Sequence, residues 1–538
     1  MTGTADRIER VAQEAFGFDA LRPGQREGIE AVLEGRDTLV VMSTGSGKSA
    51  IYQIAGLLLP GATVVISPLL ALQREQVGEL RAHAAGGAAA ISSAVGRSER
   101  AEALAGLAED ALEFVFLAPE QLAKPDLLDE LAIAGPSLMV VDEAHCISEW
   151  GHDFRPDYLR LGAVVEALGR PTVLALTATA APPVRDEIVA RLGLRDALVL
   201  TRGFDRPEIR LCVERHQAED RKLRALREHV AAAEPPGIVY VATRRGAEEL
   251  AAALCDDGLR AAAYHAGMRR HDREDAQTRF MDDDLDAIVA TTAFGMGVDK
   301  PNVRWVVHAE ISESLDSYYQ EIGRAGRDGK PASATLFYRA EDVGLRRFFS
   351  GGQVDLAEIA AVLDAVGDTP VETSALQAAT GLGETRLAVA LSRLEEAGAI
   401  EQRASGEIAP ADDAPPHKAA IEAAAAAEER RHEFDRSRVD MVRAYAETTG
   451  CRRAFVLSYF GEPFEPPCGN CDNCLAWRVT VLPAELPFAV GARVVHDEWG
   501  EGVVQRYEED ALVVLFDEAG YRTLALDVVL ARSLLRAA

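Results

Sequence analysis

The sequence predicts an α/β protein: two tandem lobes, each a parallel sheet with helices on both faces, then a helical insertion, a four-cysteine module and a small C-terminal β-barrel. Three observations predict it. Apolar runs at 38–41, 63–67, 114–117, 138–141 and 172–175 alternate with amphipathic stretches, and the pattern restarts at 237–241, 261–264, 287–290, 305–308 and 334–338. Runs that are apolar throughout and separated by helices describe parallel sheets buried on both faces. A glycine-rich loop, Met42-Ser43-Thr44-Gly45-Ser46-Gly47-Lys48-Ser49, directly follows the first run. That places it beyond the carboxyl end of a strand, where ligands bind in open α/β sheets. Near the C-terminus, Cys451, Cys468, Cys471 and Cys474 follow the spacing C-x16-C-x2-C-x2-C.

The 538 residues divide into lobes at 1–205 and 206–350, an insertion at 351–414, a cysteine-bearing helical module at 415–479 and a barrel at 480–538. No apolar run is long enough to cross a membrane, and residues 1–14 are too polar for a signal peptide. The seven cysteines do not form a secreted disulfide pattern. A cytoplasmic location is expected. With 57 Lys and Arg against 86 Asp and Glu, the net charge is −29. Taken alone that opposes binding to a polyanion. A local basic groove can still bind while an acidic periphery keeps the chain soluble.

The glycine-rich loop reads as a phosphate cradle. Small residues let backbone N–H groups converge on phosphate oxygens, Lys48 bridges the terminal phosphates, and the Ser49 hydroxyl suits Mg²⁺. The strict pattern asks for Gly where Met42 stands. A second motif, Val140-Val141-Asp142-Glu143-Ala144-His145, ends another buried run. There Asp142 would hold the metal through water, and Glu143 would orient or deprotonate the attacking water. The third lies in the second lobe, Tyr318-Tyr319-Gln320-Glu321-Ile322-Gly323-Arg324-Ala325-Gly326-Arg327-Asp328. A helical turn would set Arg324 and Arg327 on one side. An arginine at a γ-phosphate stabilises transition-state charge. With the loop on one lobe and the arginines on the other, ATP would fasten the lobes and hydrolysis would release them. The four cysteines read as a structural Zn²⁺ site, closed by four thiolates in a reducing compartment. Cys146, Cys212 and Cys255 read as core residues.

Together these pieces resemble superfamily 2 helicases and, specifically, the RecQ family of DNA helicases, over 16–347 and again over 430–475. The resemblance implies RecA-like lobes. Gly17-Phe18-Asp19-Ala20-Leu21-Arg22-Pro23-Gly24-Gln25 is similar to the family's adenine-recognition segment, with Phe18 and Arg22 sandwiching the base and Gln25 bonding its edge. Thr44, Gly45, Ser46, Gly47, Lys48, Ser49 and Asp142 complete the implied ATP·Mg²⁺ site, and Gln320 joins Lys48, Asp142, Glu143, Arg324 and Arg327 as catalytic. The stretch 142–158 looks like the acidic motif followed by the family's aromatic-rich loop. Trp150, His152, Phe154 and Arg155 there would meet unpaired bases, and aromatic stacking contributes ~1–3 kcal/mol per base. Thr243 and Thr292 lie in stretches that grip the DNA backbone in family members, and 176–180 resembles the lobe-linking motif.

The chain also departs from the family. The residues that follow Cys474 in this sequence do not read as the winged helix and helical DNA-binding domain that follow the zinc module in many members. Instead, short strands at 493–496, 502–507, 511–516 and 521–526 suggest a barrel resembling the Tudor-like tail of some UvrD-type helicases, which implies a protein partner such as RNA polymerase. Before the zinc module, helices at 356–366, 374–379 and 384–397 and a strand at 399–402 read as a winged-helix-like insertion, either a replacement strand-separating wing or a brace. A linker at 410–416 and a long helix over 416–438 follow, with further helix over 446–459.

The reading is an ATP-dependent 3′–5′ DNA helicase, monomeric, acting on single-stranded and branched DNA in recombination and repair. Its rivals are a DNA-stimulated translocase that unwinds weakly, an RNA-directed motor of the same superfamily, and a non-catalytic adaptor.

Overall fold

The computed structural model describes all residues except 1, 44, 84–86, 93–96, 110, 149–153, 296–299, 345–355, 368, 404–405, 478–485, 509–510 and 518. The chain forms two compact units, Met1–Gly203 with Gly352–Arg431, and Phe204–Gly351 with His432–Ala538.

The first unit holds a seven-stranded parallel sheet in the order Ala88–Ile91, Phe114–Leu117, Thr63–Ile66, Leu138–Val141, Thr172–Thr177, Thr38–Met42, Leu198–Arg202. The five strands expected from apolar runs all form, and each inner one is almost wholly buried. Register aligns Ile66 with Val141 and Val41 with Thr177. Val141 in turn pairs with Ala175, so the four neighbouring strands end on the same edge of the sheet, the strands Thr172–Thr177 and Thr38–Met42 running two to three residues further, and the loops after 42, 66, 141 and 177 emerge along that edge. The core beneath joins Val40, Ile51, Ile54, Val65, Val140 and Leu174.

The insertion has helices Leu356–Val366, Thr373–Thr380 and Glu384–Glu396 and a small antiparallel sheet in the order Val371–Glu372, Glu407–Pro410, Ile400–Gln402. Helix, strand, two helices and two strands, with the first strand against the last, is a winged-helix arrangement. Ile359, Val362, Leu376, Leu387, Leu391 and Leu394 form its core. The strand Glu407–Pro410 occupies sequence expected to precede or begin the linker.

The second unit has a six-stranded parallel sheet in the order Ala261–Tyr264, Ala287–Ala290, Gly237–Tyr240, Trp305–His308, Ala332–Tyr338, Ile209–Arg215. The long helix is His417–Glu447, extending beyond the expected end, and the helix expected over 446–459 is instead Arg452–Tyr459. The break between them turns Cys451 into the cap of the shorter helix.

At the C-terminus an antiparallel sheet runs Gly520–Ala525, Ala511–Phe516, Gly500–Glu508, Arg493–His496, Leu535–Ala537. The ladder of hydrogen-bonded pairs ends at Gly520–Ala525 on one side and Leu535–Ala537 on the other. Among the described residues it is a five-stranded sheet, not a hydrogen-bond-closed barrel. The sheet packs on the zinc module's helices. Arg506 lies over the Phe455 ring at 3.7 Å, and Tyr521 stacks on Tyr459 at 5.3 Å. Among the described residues no helix is long and apolar enough to cross a membrane.

Candidate active site and zinc centre

The phosphate loop lies between the strand Thr38–Met42 and the helix Ser49–Leu58. Gly45 and Gly47 adopt φ of +79° and +81°. The φ of Gly47 favours glycine, and a Cβ there would stand 2.6 Å from Gln25 Nε2, so the Gln25 amide would have to swing away from the loop. Lys48 Nζ donates to the carbonyls of Met42 at 2.9 Å and Ser43 at 3.3 Å, which folds it over the loop. Thr44 lies outside the described residues.

The adenine segment is wired to this loop. Arg22 Nη1 donates to the Gly45 carbonyl. Gln25 is buried; its Oε1 accepts from Arg22 N at 2.7 Å, and its Nε2 donates to Gly47 O at 2.8 Å. In this arrangement the Gln25 amide holds the loop rather than facing outward. Phe18 is 38% exposed and stacks on Phe16 at 5.8 Å.

Asp142 and Glu143 end the strand Leu138–Val141. Ser67 Oγ donates to Asp142 Oδ2 at 3.2 Å and Glu143 N to Asp142 Oδ1 at 3.0 Å. Burial, then the neighbouring Glu143 charge, pushes Asp142 up to about 7, against the pull of Lys48. A half-buried carboxylate in that condition fits a divalent cation, and Asp142 with Ser49 would hold Mg²⁺, which supplies charge neutralisation at the phosphates. Glu143 has φ of +49°, a left-handed conformation that non-glycine residues reach only when their surroundings impose it. Its Oε2 lies 3.4 Å from His145 Nδ1. That same nitrogen lies 2.9 Å from Thr177 Oγ1, which donates to the Thr179 carbonyl at 3.0 Å. The acid motif is thus joined to the lobe-linking motif through His145. Burial, then the charges of Arg155 and Lys48, lowers His145 to about 3, so the imidazole is neutral.

The aromatic loop leaves from Ser148, whose Oγ donates to Glu187, and returns at Arg155, whose N donates to the Cys146 carbonyl at 2.9 Å. Phe154 and Arg155 are half-buried, and Arg155 Nη1 reaches the Pro68 carbonyl at 3.4 Å. Trp150 and His152 lie outside the described residues.

In the second unit the helix Leu315–Ile322 carries half-buried Gln320 near its end and stops before the arginines. The expected helical turn is instead the turn that follows the helix. Arg324 and Arg327 both still act on Tyr240, whose hydroxyl donates to Phe294 O at 2.8 Å. Arg324 is buried and donates to the Gly295 carbonyl. Glu321, which sequence reasoning passed over, binds His308 Nε2 at 2.7 Å and Ser312 Oγ at 3.0 Å. Thr243 caps the helix Arg244–Asp256 by accepting from Gly246 N at 3.0 Å, and Thr292 is exposed.

The sulfurs of Cys451, Cys468, Cys471 and Cys474 all lie within 4.8 Å of one another. Cys468 and Cys474 are 3.8 Å apart, which matches the edge of a tetrahedron with Zn–S bonds of about 2.3 Å. Hydrogen bonds from Cys451 and Cys468 hold the Cys471 thiol well below its usual range. Backbone N–H groups of Asn470 and Cys474 also donate to sulfurs, at 3.4 Å each. The donor set fits structural Zn²⁺. Of the other cysteines only Cys146 is buried. Cys212 is half-buried, and Cys255 is exposed on its helix, contrary to the core reading.

Known proteins bear on the same segments. Residues 22–188 match the DEAD/DEAH box helicase family, 221–329 the helicase conserved C-terminal domain and 411–475 the RecQ zinc-binding family. The probable ATP-dependent DNA helicase RecS of Bacillus subtilis is 36% identical over 479 residues, covering 87% of this chain and 92% of that protein. ATP-dependent DNA helicase RecQ of Pasteurella multocida is 34% identical over 466 residues, covering 86% of this chain but 62% of its own length. The solved structure of the DUF1998 helicase MrfA bound to DNA and AMPPNP has the same two-lobed fold, with a TM-score of 0.52 at 18% identity over 77% of this chain and 62% of that one. A relative this similar along nearly its whole length, on a chain that carries the phosphate loop, the acidic motif and the four-sulfur cluster, shows that this protein belongs to the RecQ family of ATP-dependent DNA helicases.

Proposed function

We propose that the chain hydrolyses ATP to move 3′ to 5′ on single-stranded DNA, and that it unwinds duplex or branched DNA in cytoplasmic recombination and repair. The observation that carries this reading is the run of polar contacts Ser67–Asp142–Glu143 and His145–Thr177 beside Lys48, the two closing to 3.4 Å between Glu143 and His145, with the stems of the aromatic loop anchored to it by Ser148 N on the His145 carbonyl and Tyr158 on the Asp142 carbonyl. Glu143 activates water. Arg324 and Arg327, with Gln320, serve the charge that develops at the γ-phosphate. Phe154 and Arg155, with Trp150 and His152, meet unpaired bases, and Thr243 and Thr292 contact the backbone. Each base-pair step opened costs about 1.4 kcal/mol of stacking, so hydrolysis must be coupled to movement.

A second reading, a DNA-stimulated translocase that unwinds weakly, is favoured by the insertion's third helix. Its Arg393 pairs with Glu428 at 2.7 Å, its Glu395 with Arg191 at 2.8 Å, and its Arg386 with Glu358. A helix so occupied has little left with which to read or pry duplex. Strand displacement on forked, tailed and four-way-junction DNA, run beside ATPase assays with DNA and RNA of equal length, decides between them. Displacement dependent on a 3′ tail supports the helicase. ATPase stimulation without displacement supports the translocase, and equal stimulation by RNA removes DNA selectivity from the account.

The C-terminal sheet is a docking module for a protein partner such as RNA polymerase, with the protein acting as a monomer. The sheet's Arg493 and Arg536 are engaged by Asp517, Glu501 and Asp497, which leaves little positive charge for nucleic acid.

A further inference from the structure

The insertion reaches both stems of the aromatic loop. On the outgoing stem, Ser148 Oγ donates to Glu187 Oε2. Glu187 lies one turn before Arg191 on the helix Pro182–Arg191, and Arg191 Nε is 3.5 Å from Glu187 Oε1. The same guanidinium donates from Nη1 to Glu395 Oε2 at 2.8 Å and from Nη2 to Ser392 Oγ at 3.4 Å, both on the insertion's third helix. On the returning stem that helix packs against Pro156–Tyr158, and the Tyr158 hydroxyl donates to the Asp142 carbonyl at 3.0 Å. Beside it the insertion's turn at Gly406, φ +83°, approaches Arg160 so closely that a Cβ would stand 3.3 Å from Nη1. Arg160 in turn binds Asp157 at 2.6 Å.

A brace would need only apolar packing. Here a three-partner guanidinium, whose planar fork fixes the positions of its acceptors, joins the insertion to the residue from which the loop departs. The side chains of Glu187, Arg191 and Glu395 are only 14%, 20% and 25% exposed, so their pairing is weakly screened.

We infer that the insertion is a control element for DNA-stimulated ATP hydrolysis, acting on the loop stems through Arg191 as a positioning residue. This rests on the reading of the loop as the DNA sensor. With unpaired DNA on the loop, Ser148 and Pro156–Tyr158 transmit its position to Glu143 and Asp142, and the Arg191 fork sets the resting position from which that transmission starts.

The test uses the full chain with Arg191→Ala, Arg191→Lys and Glu395→Gln, and Phe154→Ala as reference. Each is read for ATPase without DNA, ATPase at saturating oligothymidylate, and the oligonucleotide concentration that gives half stimulation. Glu395→Gln removes a charge and keeps the shape, so it tests the inference even where Arg191→Ala folds poorly. Expected in the Arg191 and Glu395 variants are DNA-free rates within about two-fold of wild type, with stimulation weakened roughly five-fold or more in Arg191→Ala. Glu395→Gln shifts the same way, Arg191→Lys recovers part, and Arg191→Ala with Glu395→Gln is no worse than Arg191→Ala alone. Unchanged stimulation in Arg191→Ala and Glu395→Gln, with stimulation abolished in Phe154→Ala, overturns the inference and leaves the sensor reading standing. Equal loss of DNA-free and stimulated rates reduces the insertion to a brace and overturns it too. Full stimulation in Phe154→Ala overturns the sensor reading, and the inference with it.

Discussion

Tyr158 donates its hydroxyl to the backbone carbonyl of Asp142 at 3.0 Å, with no part of its ring exposed. The returning end of the aromatic loop is thereby pinned to the residue assigned to the metal. Tyr158→Phe keeps the packing and removes this one bond. A net loss of about 1 kcal/mol in stability is expected, together with a several-fold weaker ATPase response to single-stranded DNA. Thermal melting and DNA titrations of ATPase on the same preparations check both.

Glu143 sits at φ +49° with its carboxylate near His145, a strained posture that a structural glutamate has no reason to hold. Glu143→Gln keeps the size and one acceptor oxygen and removes the proposed base. Hydrolysis is expected to fall by roughly 10²–10⁴-fold while binding of a fluorescent ATP analogue persists. Single-turnover ATPase beside equilibrium titration is the measurement, and near-normal turnover in this variant would remove Glu143 from its catalytic role.

Much of this was legible in the sequence because the inner strands of a parallel sheet are apolar throughout and the loops that follow them have fixed chemistry. The strand Ala88–Ile91 went unread because alanines carry little strand signal. Leu198–Arg202 and Ile209–Arg215 are edge strands, partly exposed and charged, and they broke the apolar pattern. Val371–Glu372 is too short to show any periodicity. At the site, residue identities could be read but wiring could not. Gln25 turning to Gly47, or Arg191 meeting Glu395, joins positions whose proximity only the fold creates.

The zinc knuckle covers a sheet edge. Asp472, between two of the cysteines, accepts from Val213 N at 3.0 Å and from Arg452 Nε at 2.5 Å, and Asn470 Nδ2 donates to Pro207 O at 2.9 Å. Val213 belongs to the edge strand Ile209–Arg215, whose exposed N–H groups are otherwise a template for aggregation. Because zinc contributes an apparent ~10–16 kcal/mol to such modules, Cys471→Ser or exhaustive chelation is expected to unfold the knuckle outright. Hydrogen exchange would then accelerate across 209–215 as well as 451–475, and the protein would aggregate. Unaltered protection at 209–215 after measured zinc loss would separate the metal from the sheet.

His145 is wholly buried and neutral, held at about 3 by burial and by the charges of Arg155 and Lys48, against about 6.5 in an unfolded chain. Between these values the unfolded chain takes up a proton that the folded chain refuses. The stability this residue permits is therefore complete above about pH 6.5 and is lost progressively as pH falls toward 3, on the order of 1 kcal/mol per pH unit. His145→Asn removes the titration and also breaks the contact with Thr177, so it lowers stability at pH 7.5. On acidification the wild type loses this increment and the variant does not. The gap between their melting temperatures, measured from pH 7.5 to 5, is expected to narrow below about 6.5. A gap that stays constant or widens over that range would mean that the imidazole gains its proton in the folded protein, and that His145 joins Glu143 to Thr177 as a cation.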